Sequence, residues 1–289
     1  MGQVNDLMRY CIKQYHAPKR CKQCVNENQC SNSYNCYEVC IKKIHRVTNT
    51  ELHYNCPNML HCYVLKHFYR YASEIESVFE RYFNAFSGHI NVASIGCGPS
   101  SELYGMQDYL EKHPEQSISF DFYGFDIDNI WKPIWDYSVT RIPSSHFYTE
   151  DFFNYYENKP LPEVIFVNYM LSDMSKYNQE LVPVFLDNLI ALIERMPYGI
   201  IIINDISYVK DDLSMAYGCI HNIHKKIRNN KSYTITAGSF QKLPLLGKYF
   251  GSKIDDDSIR MDMIPIPFGI DPFPCCGSLQ YIIQKNRQK

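Results

Sequence analysis

Between Pro57 and Phe86, the apolar residues Leu60, Val64, Phe68, Tyr71, Ile75, Phe79 and Tyr82 recur three and four positions apart, the spacing of one stripe on a helix. Pro57 suits the first helical turn, where its missing N–H has no partner to lose, and Gly88 is placed to end the helix. From Asn91 onward the pattern changes to short apolar runs alternating with helical stretches. "NVASIG", "ISFDFYGFDID", "HFYTEDFF", "EVIFVNYML" and "YGIIIINDI" read as five successive strands. The last is apolar throughout, as a parallel strand covered on both faces requires. Within Gln179–Met196, Leu181, Val184, Phe185, Leu189, Leu192 and Ile193 share one helical face, and a polar helix is expected around Asp212–Arg228. "KSYTITAG" and "SLQYIIQK" follow with no helix between them. This order predicts an α/β fold, a doubly wound and mostly parallel sheet ending in an antiparallel hairpin.

Residues 1–56 follow neither pattern. They are polar and rich in Cys, Asn and Tyr, with too little apolar content to build a core unaided, so a cross-link is expected. The chain therefore divides into a Cys-rich cap over 1–56, a bridging helix over 57–88 and a sheet domain over 89–289. The N-terminus lacks the apolar segment of a secretion signal, and no run of about 18 apolar residues is long enough to cross a membrane. A cytoplasmic protein without membrane association is expected.

Compartment changes the meaning of the cysteines. Eight of the 12 fall between Cys11 and Cys62, and in a reducing environment such clustering favours metal ligation over disulfides. Cys21 and Cys24 have the spacing of a metal-ligand hairpin, and Cys36 and Cys40 lie one helical turn apart. Together they predict a closed four-thiolate zinc site that is structural, because no coordination position is left for water. Cys11, His16, Cys30, His45, Cys56 and Cys62 remain as alternates. An iron–sulfur cluster fits the ligand count, but the spacing matches neither common ferredoxin run.

The net charge of −2 argues against a generally basic nucleic-acid binder, yet Met1–Arg46 holds eight Lys/Arg against three Asp/Glu. That excess, interleaved with Tyr10, Tyr15, Tyr34 and Tyr37, suits phosphates and stacked bases. A solvated face beside a metal site has the same composition.

"SIGCGPSSEL" stands where the first strand gives way to a helix. Gly96 permits a sharp exit, and Gly98 lets a ligand approach backbone N–H groups at the helix start. Tight strand-to-helix turns use glycine for steric reasons as well, so the loop alone is a weak signal. Three more strand ends strengthen it. Asp126 closes the second strand, where a carboxylate can accept both hydroxyls of a ribose. Asp151 closes the third beside Phe152, which can pack on a base, and Asn168 and Tyr169 close the fourth.

With these residues in place, the chain resembles the class I S-adenosylmethionine-dependent methyltransferases over roughly Asn91–Lys285. The resemblance implies that Gly96 and Gly98 face the methionine part, Asp126 the ribose and Asp151 the adenine. It makes Ser94, Gly96, Gly98, Glu102, Asp126, Asp128, Asp151, Phe152 and Asn168 the cofactor-binding set. The family usually carries an acid two positions before the first glycine, and here that position is Ser94. Glu102 stands in for it, or backbone carbonyls hold the amino group. A dinucleotide-binding loop would place a third glycine where Ser101 stands. "VNYMLSDM" keeps an Asn and an aromatic residue without the Pro-Pro of amino-methylating enzymes. Asn168 and Tyr169 are candidates to orient an acceptor, and Asp173 to act as a base. The expectation is a methyltransferase with a structural zinc region and a nucleic-acid acceptor. A small-molecule or protein acceptor is the main alternative, and a cofactor-binding interaction module without activity is the third.

Overall fold

The computed structural model describes residues 2–15, 41, 56–82, 86–206, 216–239, 259–272 and 278–285. Seven strands are present: β1 (Gly88–Ile95), β2 (Ile118–Phe125), β3 (Ser145–Tyr148), β4 (Val164–Asn168), β5 (Gly199–Ile206), β6 (Tyr233–Ser239) and β7 (Ser278–Lys285). They form one sheet in the order β3-β2-β1-β4-β5-β7-β6. β1 to β5 run parallel, and β7 lies antiparallel between β5 and β6. The sheet is thus mostly parallel with an antiparallel end, as the alternating pattern implies. From β1 the chain winds outward through β2 to β3, then crosses back to β4 on the other side. The order therefore reverses between β1 and β4. Ligands of open α/β sheets bind at such a switch point, beyond the carboxyl ends of the strands.

Period-two burial divides the strand side chains between two cores. Val92, Val164, Phe166, Ile200 and Ile202 face α1 (Gln3–Gln14), α2 (Pro57–Tyr82) and α3 (Ser101–Lys112). Ala93, Ile165, Val167, Ile201 and Ile203 face the opposite layer, which includes α7 (Val182–Arg195) and α8 (Ala216–Ile227). Shorter helices α4 (Lys132–Arg141), α5 (Phe152–Tyr155) and α6 (Leu171–Tyr177) fill the remaining connections.

Three details depart from the sequence reading. Gly88 opens β1 at φ 77° and does not cap the preceding helix. The stretch expected as one helix over Gln179–Met196 begins with a 3-10 turn at Gln179–Leu181, and Pro183 then sits in the first turn of α7. Within 1–56, α1 packs into the main core: Val4, Leu7, Met8 and Cys11 are buried with α2.

Residues 259–272 run along α2 and tie it to α1. The Arg260 N–H donates to Ser73 Oγ at 3.0 Å, and the Ile264 N–H donates to the Tyr69 hydroxyl at 3.0 Å. That hydroxyl in turn donates to Asn5 Oδ1 at 2.5 Å. No described helix is long and apolar enough to cross a membrane. Cys21, Cys24, Cys36 and Cys40 lie outside the described residues, as do His16, Cys30 and His45. Among the described residues no group of three or more His, Cys, Asp or Glu is arranged to hold a metal ion.

Candidate functional site

The loop after β1 alternates between left-handed and ordinary backbone. Gly96, Gly98 and Ser100 have φ of 66°, 47° and 62°. A Cβ on Gly96 would stand 2.8 Å from Met170 Sδ, so this glycine is needed for space as well as for φ. At Gly98 the nearest atom to such a carbon is Trp131 Cε2 at 3.8 Å, so conformation is the constraint there.

Asp126 locks this loop to the end of β2. Its Oδ2 accepts the Gly98 N–H at 2.9 Å and its Oδ1 accepts the Asp128 N–H at 2.9 Å. The Trp135 indole donates to the Gly98 carbonyl at 2.8 Å and stacks on Phe147 at 5.4 Å. Burial raises the Asp126 carboxyl to about 6, while its two backbone bonds pull it down. Each oxygen keeps a second lone pair, so both can still accept ligand hydroxyls.

The next residues are placed less uniformly. Asp128 caps the turn that follows by accepting the Ile130 N–H at 3.0 Å. Asp151 caps α5 through the Asn154 N–H at 2.9 Å and stays exposed. Phe152, expected against a base, has its ring buried in the core, 5.3 Å from that of Phe125. The exposed apolar side chain at this edge is Ile127, 84% exposed directly after Asp126. An apolar residue so placed beside a carboxylate fits a flat ligand with a polar rim. The sequence holds no signal for Ile127, because exposure at a strand end is not encoded in the local pattern.

Beneath the loop, Glu102 in the first turn of α3 is 1% exposed and accepts the Asn168 side-chain N–H at 2.5 Å. Ser94, fully buried on β1, adjoins the same carboxyl. Burial lifts Glu102 to about 7, the Asn168 amide and the nearby Ser94 hydroxyl oppose the rise, and Asp126 adds to it. Asn168 begins a row that sequence reading missed. It is in register with Asn204 on β5, which is in register with Gln280 on β7. The Gln280 amide donates to Asn204 Oδ1 at 3.0 Å.

Tyr169 turns the chain at φ 54°, a strained value for an aromatic residue. α2 holds it there. Its ring lies 3.9 Å from that of Tyr71, its hydroxyl donates to Glu74 at 2.5 Å and accepts from Arg70 at 3.2 Å. Arg70 and Glu74 are themselves paired at 3.2 Å. Burial pushes the Tyr169 phenol well above its ordinary value, so the hydroxyl serves as an anchor and not as a base. Asp173 is better suited to take a proton. Burial, followed by the charge of Asp205, raises it to about 7, with Lys176 opposing. Asp205, itself raised to about 6 by burial, accepts the Ser172 N–H at 3.0 Å and the Ile206 N–H at 2.7 Å.

No protein-family model matches the chain, and no curated protein matches it. Among solved structures it is similar to a plantazolicin methyltransferase in complex with a monoazolic analogue and SAH, at 13% identity and TM-score 0.46, covering 99% of this chain and 100% of that one. It is also similar to a precorrin-6y C5,15-methyltransferase from Geobacter metallireducens GS-15, at 10% identity and TM-score 0.42, covering 74% and 88%. A third is the N-methyltransferase NodS from Bradyrhizobium japonicum WM9 in complex with S-adenosyl-L-homocysteine, at 10% identity and TM-score 0.42, covering 74% and 87%. These similar structures are methyltransferases. Likeness at this level assigns this chain neither an activity nor an acceptor.

Proposed function

We propose that the chain is an S-adenosylmethionine-dependent methyltransferase. One observation carries the reading: at the switch point between β1 and β4, a left-handed glycine loop is fastened through Gly98 to a partly buried strand-end carboxylate, Asp126. Glycine backbone can approach a ligand closely, and Asp126 retains acceptor capacity for two ribose hydroxyls. Ile127 offers an apolar surface to a purine, and Asp151 retains one carboxylate oxygen for an exocyclic amine. The bound cofactor supplies an electrophilic methyl group. The chain's own contribution is orientation at Asn168 and Tyr169, with Asp173 taking the proton an acceptor loses. Asp126→Ala is expected to weaken S-adenosylhomocysteine binding by about 1–3 kcal/mol in a calorimetric titration, through lost charged hydrogen bonds. Unchanged affinity would remove Asp126 from the site.

The acceptor reading divides. A nucleic-acid acceptor rests on the basic excess near the N-terminus, of which Lys19, Arg20 and Lys22 lie outside the described residues and Arg9 is paired with Asp6 at 3.0 Å. The residues at the mouth favour the alternative. Asp126 and Asp173 stand partly exposed near the carboxyl ends of β2 and β4, with Asp128 and Asp151 exposed at the same edge, and their charge repels a polyanion. A small neutral or cationic acceptor fits them better.

The structural zinc rests on cysteine spacing alone. Elemental analysis of freshly purified protein is expected to find one zinc per chain. Cys21→Ser with Cys24→Ser should abolish it. Protein purified without zinc, or with zinc unaffected by the double substitution, contradicts the site.

A further inference from the structure

We infer that Asn204, standing between Asn168 and Gln280, centres a floor that recognises the acceptor through an uncharged group able to donate and accept a hydrogen bond, a hydroxyl or a carboxamide. This deepens the methyltransferase reading above and rests on it, narrowing a small acceptor to one that is neutral at this point. Topology sets the place. The glycine loop and Asp126 stand on the β1–β2 side of the switch point, and β5 and β7 lie on the far side of β4. A row carried by β4, β5 and β7 therefore runs away from the nucleoside half of the crevice. Asn168, Asn204 and Gln280 share the sheet face of Phe166, Ile202 and Ile282, the face that meets α1, α2 and α3.

Three polar atoms on this face have no hydrogen-bond partner among the described residues: Asn168 Oδ1, Asn204 Nδ2 and Ser278 Oγ. Their residues are 8%, 0% and 0% exposed. Each such atom costs about 1–3 kcal/mol when left unpaired in the interior, so a purely structural strand gains nothing from carrying it. The orientation of both amides is fixed by their other ends. Asn168 donates to Glu102, which adjoins β1 at Ser94, so its Oδ1 is left on the β5 side. Asn204 Oδ1 accepts from Gln280 on β7 at 3.0 Å, so its Nδ2 is left on the β4 side. An acceptor and a donor thus stand opposite each other on neighbouring strands, in register. Adjacent strands are about 4.8 Å apart, and one group between them can reach both atoms at ordinary hydrogen-bond length.

That pairing selects among ligands. A carboxylate has acceptors only and cannot satisfy Asn168 Oδ1, and an ammonium has donors only and cannot satisfy Asn204 Nδ2. A hydroxyl does both at one atom, and a carboxamide does both along one edge. Burial adds to the selection, because a charge brought here loses its hydration. Asp205, the next residue on β5, turns to the other side of the sheet, where it accepts the Ser172 N–H at 3.0 Å. Beside the row, Tyr169 is partly exposed, its N–H donates to the Asn204 carbonyl at 2.7 Å, and its ring lies 3.9 Å from that of Tyr71. A ring-bearing acceptor meets an aromatic surface there. The row recognises the acceptor and takes no part in making or breaking bonds.

Four probes that share a phenyl ring and differ in their polar group test this: benzyl alcohol, benzamide, benzylamine and benzoate. Their binding to the full chain is measured by ligand-detected NMR at pH 7.5, with and without S-adenosylhomocysteine. Benzyl alcohol and benzamide are expected to bind about tenfold or more tightly than benzylamine and benzoate. Asn204→Leu combined with Gln280→Met replaces both hydrogen-bonding partners by apolar groups of similar size. The double substitution should erase the preference and change S-adenosylhomocysteine affinity by less than about twofold, which also shows that the variant is folded. A preference for either charged probe, equal binding of all four, binding of none, or a preference that survives the double substitution overturns the inference. If the variant does not fold, the wild-type ranking decides alone. If the wild type does not bind S-adenosylhomocysteine, the methyltransferase reading falls, and the ranking measured without it still decides whether the row recognises an uncharged group.

Discussion

Gly98→Arg is expected to lower S-adenosylhomocysteine affinity by more than about 100-fold, the largest binding effect of any single substitution in the loop. Two effects combine. At φ 47° a side chain costs about 1 kcal/mol of backbone strain. The first carbon fits, with Trp131 3.8 Å away, but a guanidinium on a long stem must then lie across the loop where the ligand approaches. Gly98→Ala isolates the strain and should cost about tenfold or less. Circular dichroism should show both variants folded, because the Gly98 N–H can still reach Asp126. Gly98→Arg that binds like the wild type would mean the loop is not the cradle.

Gly105→Val should be strongly destabilising, by about 3 kcal/mol or more. A Cβ at Gly105 would stand 2.5 Å from the Ala72 carbonyl oxygen and 2.8 Å from Ile75 Cβ. The first contact is backbone of α2, which can yield only if the whole helix moves off α3. That movement also displaces Arg70, Tyr71 and Glu74, which hold Tyr169 at the end of β4. Urea unfolding should show a lower midpoint with an unchanged slope. A midpoint equal to that of the wild type would show that α2 and α3 are not packed as closely as the glycine demands.

The central strands β4 and β5 were readable because burial on both faces leaves them largely apolar. β5, "GIIIINDI", is buried along nearly its full length, and β7 spans the residues its pattern marked. α2 was legible from apolar residues three and four positions apart, although the helix also buries Lys66, His67, Glu74 and Glu76, which no apolar pattern marks. Other elements had weaker signals. α4 buries only Ile134, Trp135 and Ser138, too few for a stripe to stand out. α1 carries Val4, Leu7, Met8 and Cys11 at helical spacing, yet the dense cysteines beyond it drew the whole segment into one polar cap.

Within the site, local motifs were legible and long-range pairings were not. Gly96, Gly98 and Asp126 stand out because strand-end chemistry is written in consecutive residues. The Asn168–Asn204–Gln280 row depends on the register of three strands far apart in the chain, which no local pattern encodes. Asp205 acquires its meaning only by facing Asp173 across β5 and α6. Asn168 was singled out from its place on β4, but its link to Glu102 joins residues 66 positions apart.

The central claim is that the switch-point crevice binds S-adenosylmethionine. Calorimetric titration of the wild-type chain with S-adenosylhomocysteine at pH 7.5 tests it most directly, since the product analogue needs no acceptor. The account predicts saturable binding of one ligand per chain, with an affinity in the range of about 1–100 μM or tighter. No detectable heat and no competition with S-adenosylmethionine at millimolar ligand would contradict it.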